Sequence, residues 1–203
     1  FKNGGVNVNY RHKFGKTGKE ITVDGDYINY NTKTEQQYFN DTYSGNGTLL
    51  SQDLLEGNLP AKINIYSLKS DYSQGLGKNW KMDGGVKSSY IKTNNIASYF
   101  LTENNVKTPD YDKSNHFIYS ENISAAYLNL SSEGKKFSVQ AGLRVEGTIS
   151  KGHQLGNIMK SDSSFKRSYI NAFPTLYFSY KLDTMSIHQI GLNYGRRIDR
   201  PFY

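Results

Sequence analysis

Polar and apolar residues alternate through most of the chain. In the first run Val6, Val8, Tyr10 and Phe14 fall on one side, with Asn7, Asn9, Arg11 and Lys13 on the other. That is the period-two signature of a strand whose two faces meet different surroundings. A turn at Gly15-Lys16-Thr17-Gly18-Lys19 leads to a second strand over about Ile21–Tyr30, which sets Val23, Gly25 and Tyr27 against Thr22, Asp24 and Asp26. The pattern predicts further strands over about Lys62–Gln74, Trp80–Lys92, His116–Leu130, Phe137–Ser150, Tyr169–Leu182 and Ser186–Arg197. Tight turns are expected at Gly75–Asn79, Ser131–Lys135 and Leu182-Asp183-Thr184, and long polar loops over Asn31–Asn58, from Lys92 to about Asn115, and over Lys151–Arg167.

The resulting fold class is all-β, an antiparallel up-and-down meander of about eight strands. Short connections at one end and long ones at the other match a transmembrane barrel better than a sandwich, which turns every 8 to 12 residues or so. About eleven residues at roughly 3.3 Å each, tilted near 45°, also span the ~25 Å apolar band of such a barrel. The apolar face is diluted by Gly84, Ser88 and Gly147, which makes a poor core but an adequate lipid surface. Tyr66, Tyr72, Trp80, Tyr90, Tyr180 and Tyr194 are the candidate aromatic girdle at the membrane boundaries. Arg11, Asp24, Asp26, Lys69, Asp71, Lys87, Arg144 and Glu146 are the candidate lumen-facing residues.

Composition sharpens this picture. The 203 residues are only 36% hydrophobic but 14% aromatic, with 17 tyrosines and four prolines; disordered chains show the reverse balance. Absence of cysteine excludes disulfides and thiolate metal sites. No apolar run of about 18 residues is present to form a membrane helix, a test that barrel strands escape. The net charge of +7 is spread along strands and turns, Lys16, Lys19, Lys135 and Lys136 among them, so no nucleic-acid partner is expected.

The last third carries a family resemblance. Gly142-Leu143-Arg144-Val145-Glu146, Phe173-Pro174-Thr175 and Arg196-Arg197-Ile198-Asp199-Arg200-Pro201 resemble, in this order, the recurrent strand motifs of TonB-dependent outer-membrane receptor barrels. Ser67–Tyr72 and Trp80–Tyr90 are similar to the preceding hairpin, so the likeness runs over about Ile63–Tyr203. The resemblance implies location in the outer membrane and uptake of a small, scarce nutrient energised by TonB. It also implies that residues 1–203 are one incomplete barrel segment, with the plug that contacts TonB and the remaining strands absent. It assigns no ligand-binding residue. Open sheet edges would favour self-association, an expectation that a monodisperse monomer with capped edges would overturn. The alternative is a soluble or surface-attached β-sheet module binding, for example, carbohydrate on its tyrosines.

Weaker signals suggest no enzyme and no cofactor. Asp110, Asp112, Ser114 and Glu121 match positions 1, 3, 5 and 12 of a calcium loop, but Asn115 stands where the sharp turn needs glycine, and a polar surface loop is the better reading. Asp24 and Asp26 form a carboxylate pair without a cleft to perturb it. His12, His116, His153 and His188 share no ligand spacing.

Overall fold

The computed structural model describes residues 1–15, 18–183 and 187–198. Eight strands follow one another: β1 (Lys2–Phe14), β2 (Lys19–Tyr43), β3 (Leu49–Leu76), β4 (Trp80–Glu103), β5 (Val106–Glu133), β6 (Phe137–Leu155), β7 (Ser163–Lys181) and β8 (Gln189–Gly195). They form one antiparallel meander in sequence order, from β1 at one edge to β8 at the other, with no closure between them. The expected class, strand number and strand order are thus all present.

The connections differ from expectation. The polar stretches read as long loops are strand: β2 runs on to Tyr43 and β3 begins at Leu49, β4 reaches Glu103, β5 begins at Val106, and β6 reaches Leu155. Only Ser44–Thr48, Asn104–Asn105 and Gly156–Asp162 remain as links at that far end. The physical reason lies in what sets the period. Alternation marks a strand only while its two faces meet different media; once both faces are wet, side chains no longer alternate although the backbone ladder continues. Side-chain bonds between neighbouring strands accompany the ladder there, with Asn40 Nδ2 donating to Asp53 Oδ2 at 2.8 Å and Gln52 Nε2 to Asp41 Oδ1 at 3.0 Å. Asn104 and Asn105 both adopt left-handed φ, 49° and 63°, as a two-residue type I′ hairpin requires.

At the near end the short turns stand close to where they were expected. Gly77, at φ 77°, opens the β3–β4 turn in a conformation that a Cβ would strain. Lys16 and Thr17, Thr184 to Ser186, and Asp199 to Tyr203 lie outside the described residues, so the middle of the first expected turn, the end of the last one and the end of the last motif do too. β8 stops at Gly195 instead of Arg197. There Arg196 leaves the ladder, its backbone N–H donating to Pro174 O at 3.2 Å and its Nη1 to Ala172 O at 3.3 Å.

A one-layer sheet has no conventional core. The chain exposes 14520 Å², against about 9,600 Å² for a compact protein of its 23.0 kDa. Tyr119 and Ala125 are the buried hydrophobic residues among those described.

Candidate functional site

The ladder register sorts every strand residue onto one of two faces. Across the strands, Asn9, Asp24, Lys69, Lys87, Ala125, Glu146 and Asn171 stand in one row, and Arg11, Thr22, Asp71, Gly85, Tyr127, Arg144 and Phe173 in the next on the same side. All eight charged residues singled out from the sequence therefore share one face. Neighbours satisfy most of them. Arg144 binds Glu146 through Nη2 at 2.8 Å and Nε at 3.1 Å, Arg11 binds Glu20 at 2.7 Å, and Lys69 pairs with Asp71. Asn7 donates to Asp26 at 2.6 Å and Asn9 to Asp24. Lys69 and Lys87 stand directly opposite each other, a like-charge pair of the kind that destabilises a ladder.

Six of the seven buried residues other than glycine, Tyr119, Ala125, Glu146, Thr148, Ser150 and Ser179, lie on this charged face; Ser132 is the exception. Crowding on one side and spreading on the other is what curvature toward the charged face produces. Lys69, Asp83, Asn129, Arg144, Phe173 and Arg196 are among the residues lining a hollow of about 650 Å³ there.

Three glycines on this face each lie directly opposite an aromatic residue: Gly57 and Tyr99, Gly85 and Tyr127, Gly152 and Phe165. At Gly85 a Cβ would stand 2.6 Å from Asp71 Oδ1 and 2.6 Å from the Tyr127 hydroxyl. The missing side chain leaves room for Tyr127 on β5 to reach across β4 and donate to Asp71 on β3. Sequence reasoning missed these pairs because no local signal shows which residues of neighbouring strands stand opposite each other; that depends on the register. It also missed Ile28, Ile65 and Ile91, an apolar row on the otherwise charged face.

The calcium reading does not survive the fold. Asp110 to Glu121 belong to extended β5, which separates their carboxylates by on the order of 30 Å. Asp110 is held by Lys113, Nζ at 2.7 Å and N–H at 3.0 Å. Glu121 accepts from Tyr119 at 3.1 Å and from Ser150 at 3.0 Å, and no cluster of metal-binding residues exists among the described residues.

The opposite face is apolar and open. Val8 is 66% exposed, Leu68 58%, Val86 56%, Leu143 49%, Ile170 76% and Leu192 62%. A band of that extent, crossing all eight strands, is not left to water. A family model described as the outer membrane protein beta-barrel family matches residues 12–203. The chain belongs to that family.

Solved structures agree on the fold. The ferric citrate transporter FecA matches at TM-score 0.59 and 14% identity over 89% of this chain and 25% of its own. The ferric yersiniabactin uptake receptor FyuA from Yersinia pestis matches at 0.59 and 14% over 89% and 26%. The siderophore receptor PiuA from Acinetobacter baumannii matches at 0.61 and 15% over 90% and 30%. The chain thus spans less than a third of each. No curated protein matches it.

For a member of an outer-membrane barrel family, the apolar band is the lipid surface. All six candidate girdle residues lie on it by register. Tyr66 and Tyr90 form a row with Tyr27, ring centroids 5.0 and 6.3 Å apart. Trp80 and Tyr180 stand beside the near-end turns. Trp80 and Tyr90 are ten residues apart on β4, about 33 Å along the strand and about 23 Å in height at a 45° tilt, close to the apolar band of such barrels. Tyr72 and Tyr194 stand on the same face, four ladder steps from Leu76 and Ile190.

Proposed function

We propose that the chain supplies eight consecutive strands of a larger TonB-dependent receptor barrel that takes up a small, scarce nutrient through the outer membrane. Its charged face lines the lumen, with Arg11, Asp24, Asp26, Lys69, Asp71, Lys87, Arg144 and Glu146 as lumen residues, and its aromatic rows mark the two membrane boundaries. The carrying observation is a single-layer sheet with an exposed apolar band on one face and a bonded charge network on the other. The far-end strand extensions and their short links stand at the cell surface, where they meet the nutrient. TonB acts through the plug of the parent protein, and the reading assigns no chemical step to the chain. The edges at β1 and at β8, with the part of β7 before Ala172 without a ladder partner on that side among the described residues, are the seams where the parent's other strands continue the barrel; in isolation they favour self-association.

The test is growth of cells lacking the protein on limiting supplies of iron chelates, cobalamin, oligosaccharides or peptides, one at a time. A defect confined to one of these, restored by the full-length gene only when TonB is present, is expected. Unaltered growth on every one would contradict the reading.

A further inference from the structure

On the lipid-facing side, the first charged residue beyond the apolar band toward the far end is a lysine on six strands: Lys2 on β1, Lys33 on β2, Lys62 on β3, Lys92 on β4, Lys151 on β6 and Lys166 on β7. Three of them share one ladder row, in which Lys92 stands opposite Ser120, Ser120 opposite Lys151, and Lys151 opposite Lys166. Neighbouring strands lie about 4.8 Å apart, so two ammonium-bearing side chains start from directly opposed positions and a third from about 10 Å away. Like charges so placed destabilise a ladder unless an anion joins them. No carboxylate stands on this face within two residues of the row on β3 to β7, and Lys62, Lys92, Lys151 and Lys166 take part in none of the ion pairs among the described residues. The nearest acid in the adjoining link, Asp162, is occupied by His153 at 3.1 Å and by the Gly156 N–H at 2.5 Å. Lys33 differs in pairing with Glu35.

Two of the three lysines of the row, Lys151 and Lys166, also line a shaped seat. Ile118, Ser120, Lys151, His153, Ser164 and Lys166 line a hollow of about 400 Å³ that lies just beyond the row shared by Tyr90 and Ile149. It combines cations and hydroxyls with the apolar side chain of Ile118, and Ile149 stands in the next row below Lys151 at the edge of the lipid band. Lysines at this depth rest their stems on apolar surface and raise their charges to the headgroup level.

We propose that Lys92, Lys151 and Lys166 form a docking site for the phosphate-bearing headgroup of a membrane lipid in the leaflet at the far end of the strands. The phosphate bridges Lys151 and Lys166, Ser120 and Ser164 complete its hydrogen bonds, and the acyl chains run down past Ile149. The site rests on the membrane reading of the sheet and adds a partner to it, on the outer wall of the barrel and away from the lumen.

The experiment uses the full-length parent barrel, extracted from membranes and exchanged into mixed micelles of phosphatidylcholine with or without phosphatidic acid, with bound lipid counted by native mass spectrometry. Each lysine at an anionic surface is worth about a fivefold factor in affinity. The K92Q/K151Q/K166Q variant is therefore expected to lose phosphatidic acid binding by on the order of a hundredfold, while K113Q, which alters a lysine already paired with Asp110, binds as wild type does. Equal retention by wild type and triple variant, or equal retention of phosphatidylcholine and phosphatidic acid by wild type, overturns the proposal. Heat-modifiable migration of each variant on gels is read in parallel. If the barrel folds and the lipid result is negative, the docking site fails alone; if wild type never forms a membrane-inserted barrel, the membrane reading fails and the site falls with it.

Discussion

Gly85→Ala is expected to destabilise the folded barrel by about 3 kcal/mol, a large loss for a one-methyl change. The new Cβ would lie 2.6 Å from Asp71 Oδ1, 2.6 Å from the Tyr127 hydroxyl and 2.7 Å from Ser70 O. Two of these atoms belong to side chains that can move only by giving up their mutual hydrogen bond; the third is backbone held in the β3–β4 ladder. Tyr127→Phe removes the bond without the clash and should cost less, about 1 to 2 kcal/mol, because hydrogen bonds to charged groups exceed neutral ones and Asp71 keeps its lysine partner. In the double variant the added methyl at position 85 no longer meets a hydroxyl, so the two costs should sum to less than their separate values. Urea titration of the barrel in micelles measures all three. A neutral Gly85→Ala would show that the cross-strand contact contributes nothing.

Leu143→Arg is expected to cost about 2 to 4 kcal/mol, the range for arginine at the lipid midplane of a barrel. Leu143 is the middle residue of the outward stripe Phe137, Val139, Ala141, Leu143, Val145, Gly147, Ile149, so the introduced guanidinium would have the longest climb to either boundary. Gln140→Arg places the same charge on the same strand but on the charged face, beside Asn129, and should change stability by no more than about 0.5 kcal/mol. The difference between the two is the informative quantity. Equal costs would mean that both faces meet the same medium.

What could be read from the sequence depended on how sharply the two faces differ. From Phe137 to Ile149 one face is lipid-facing and the other carries Arg144 and Glu146, and the alternation there placed both the strand and its charged side correctly. From Thr32 to Asn40 both faces are wet. No period survives, and the side-chain pattern predicts a loop although the backbone pairs residue by residue with β3. The expected contrast of short and long connections was therefore an effect of solvent on side-chain pattern; the chain itself turns tightly at both ends. The Asn104-Asn105 turn was legible in principle, since asparagine is among the few residues that tolerate left-handed φ at both hairpin positions. The meeting of Asp71, Gly85 and Tyr127 was not, because it depends on the register of three strands at once. Grouping the eight charged residues on one face needed only the period; finding their bonded partners needed the register.

The account's central claim, that one face of this sheet meets lipid and the other water, is tested most directly by spin labels placed singly at each position from 138 to 150 of the membrane-inserted barrel. Relaxation by oxygen, which concentrates in lipid, is compared with relaxation by a water-soluble nickel chelate. A strict period of two is predicted, with positions 139, 141, 143, 145, 147 and 149 oxygen-accessible and the even positions between them favouring the chelate or shielded from both. Uniform accessibility to the chelate along the whole run would contradict it.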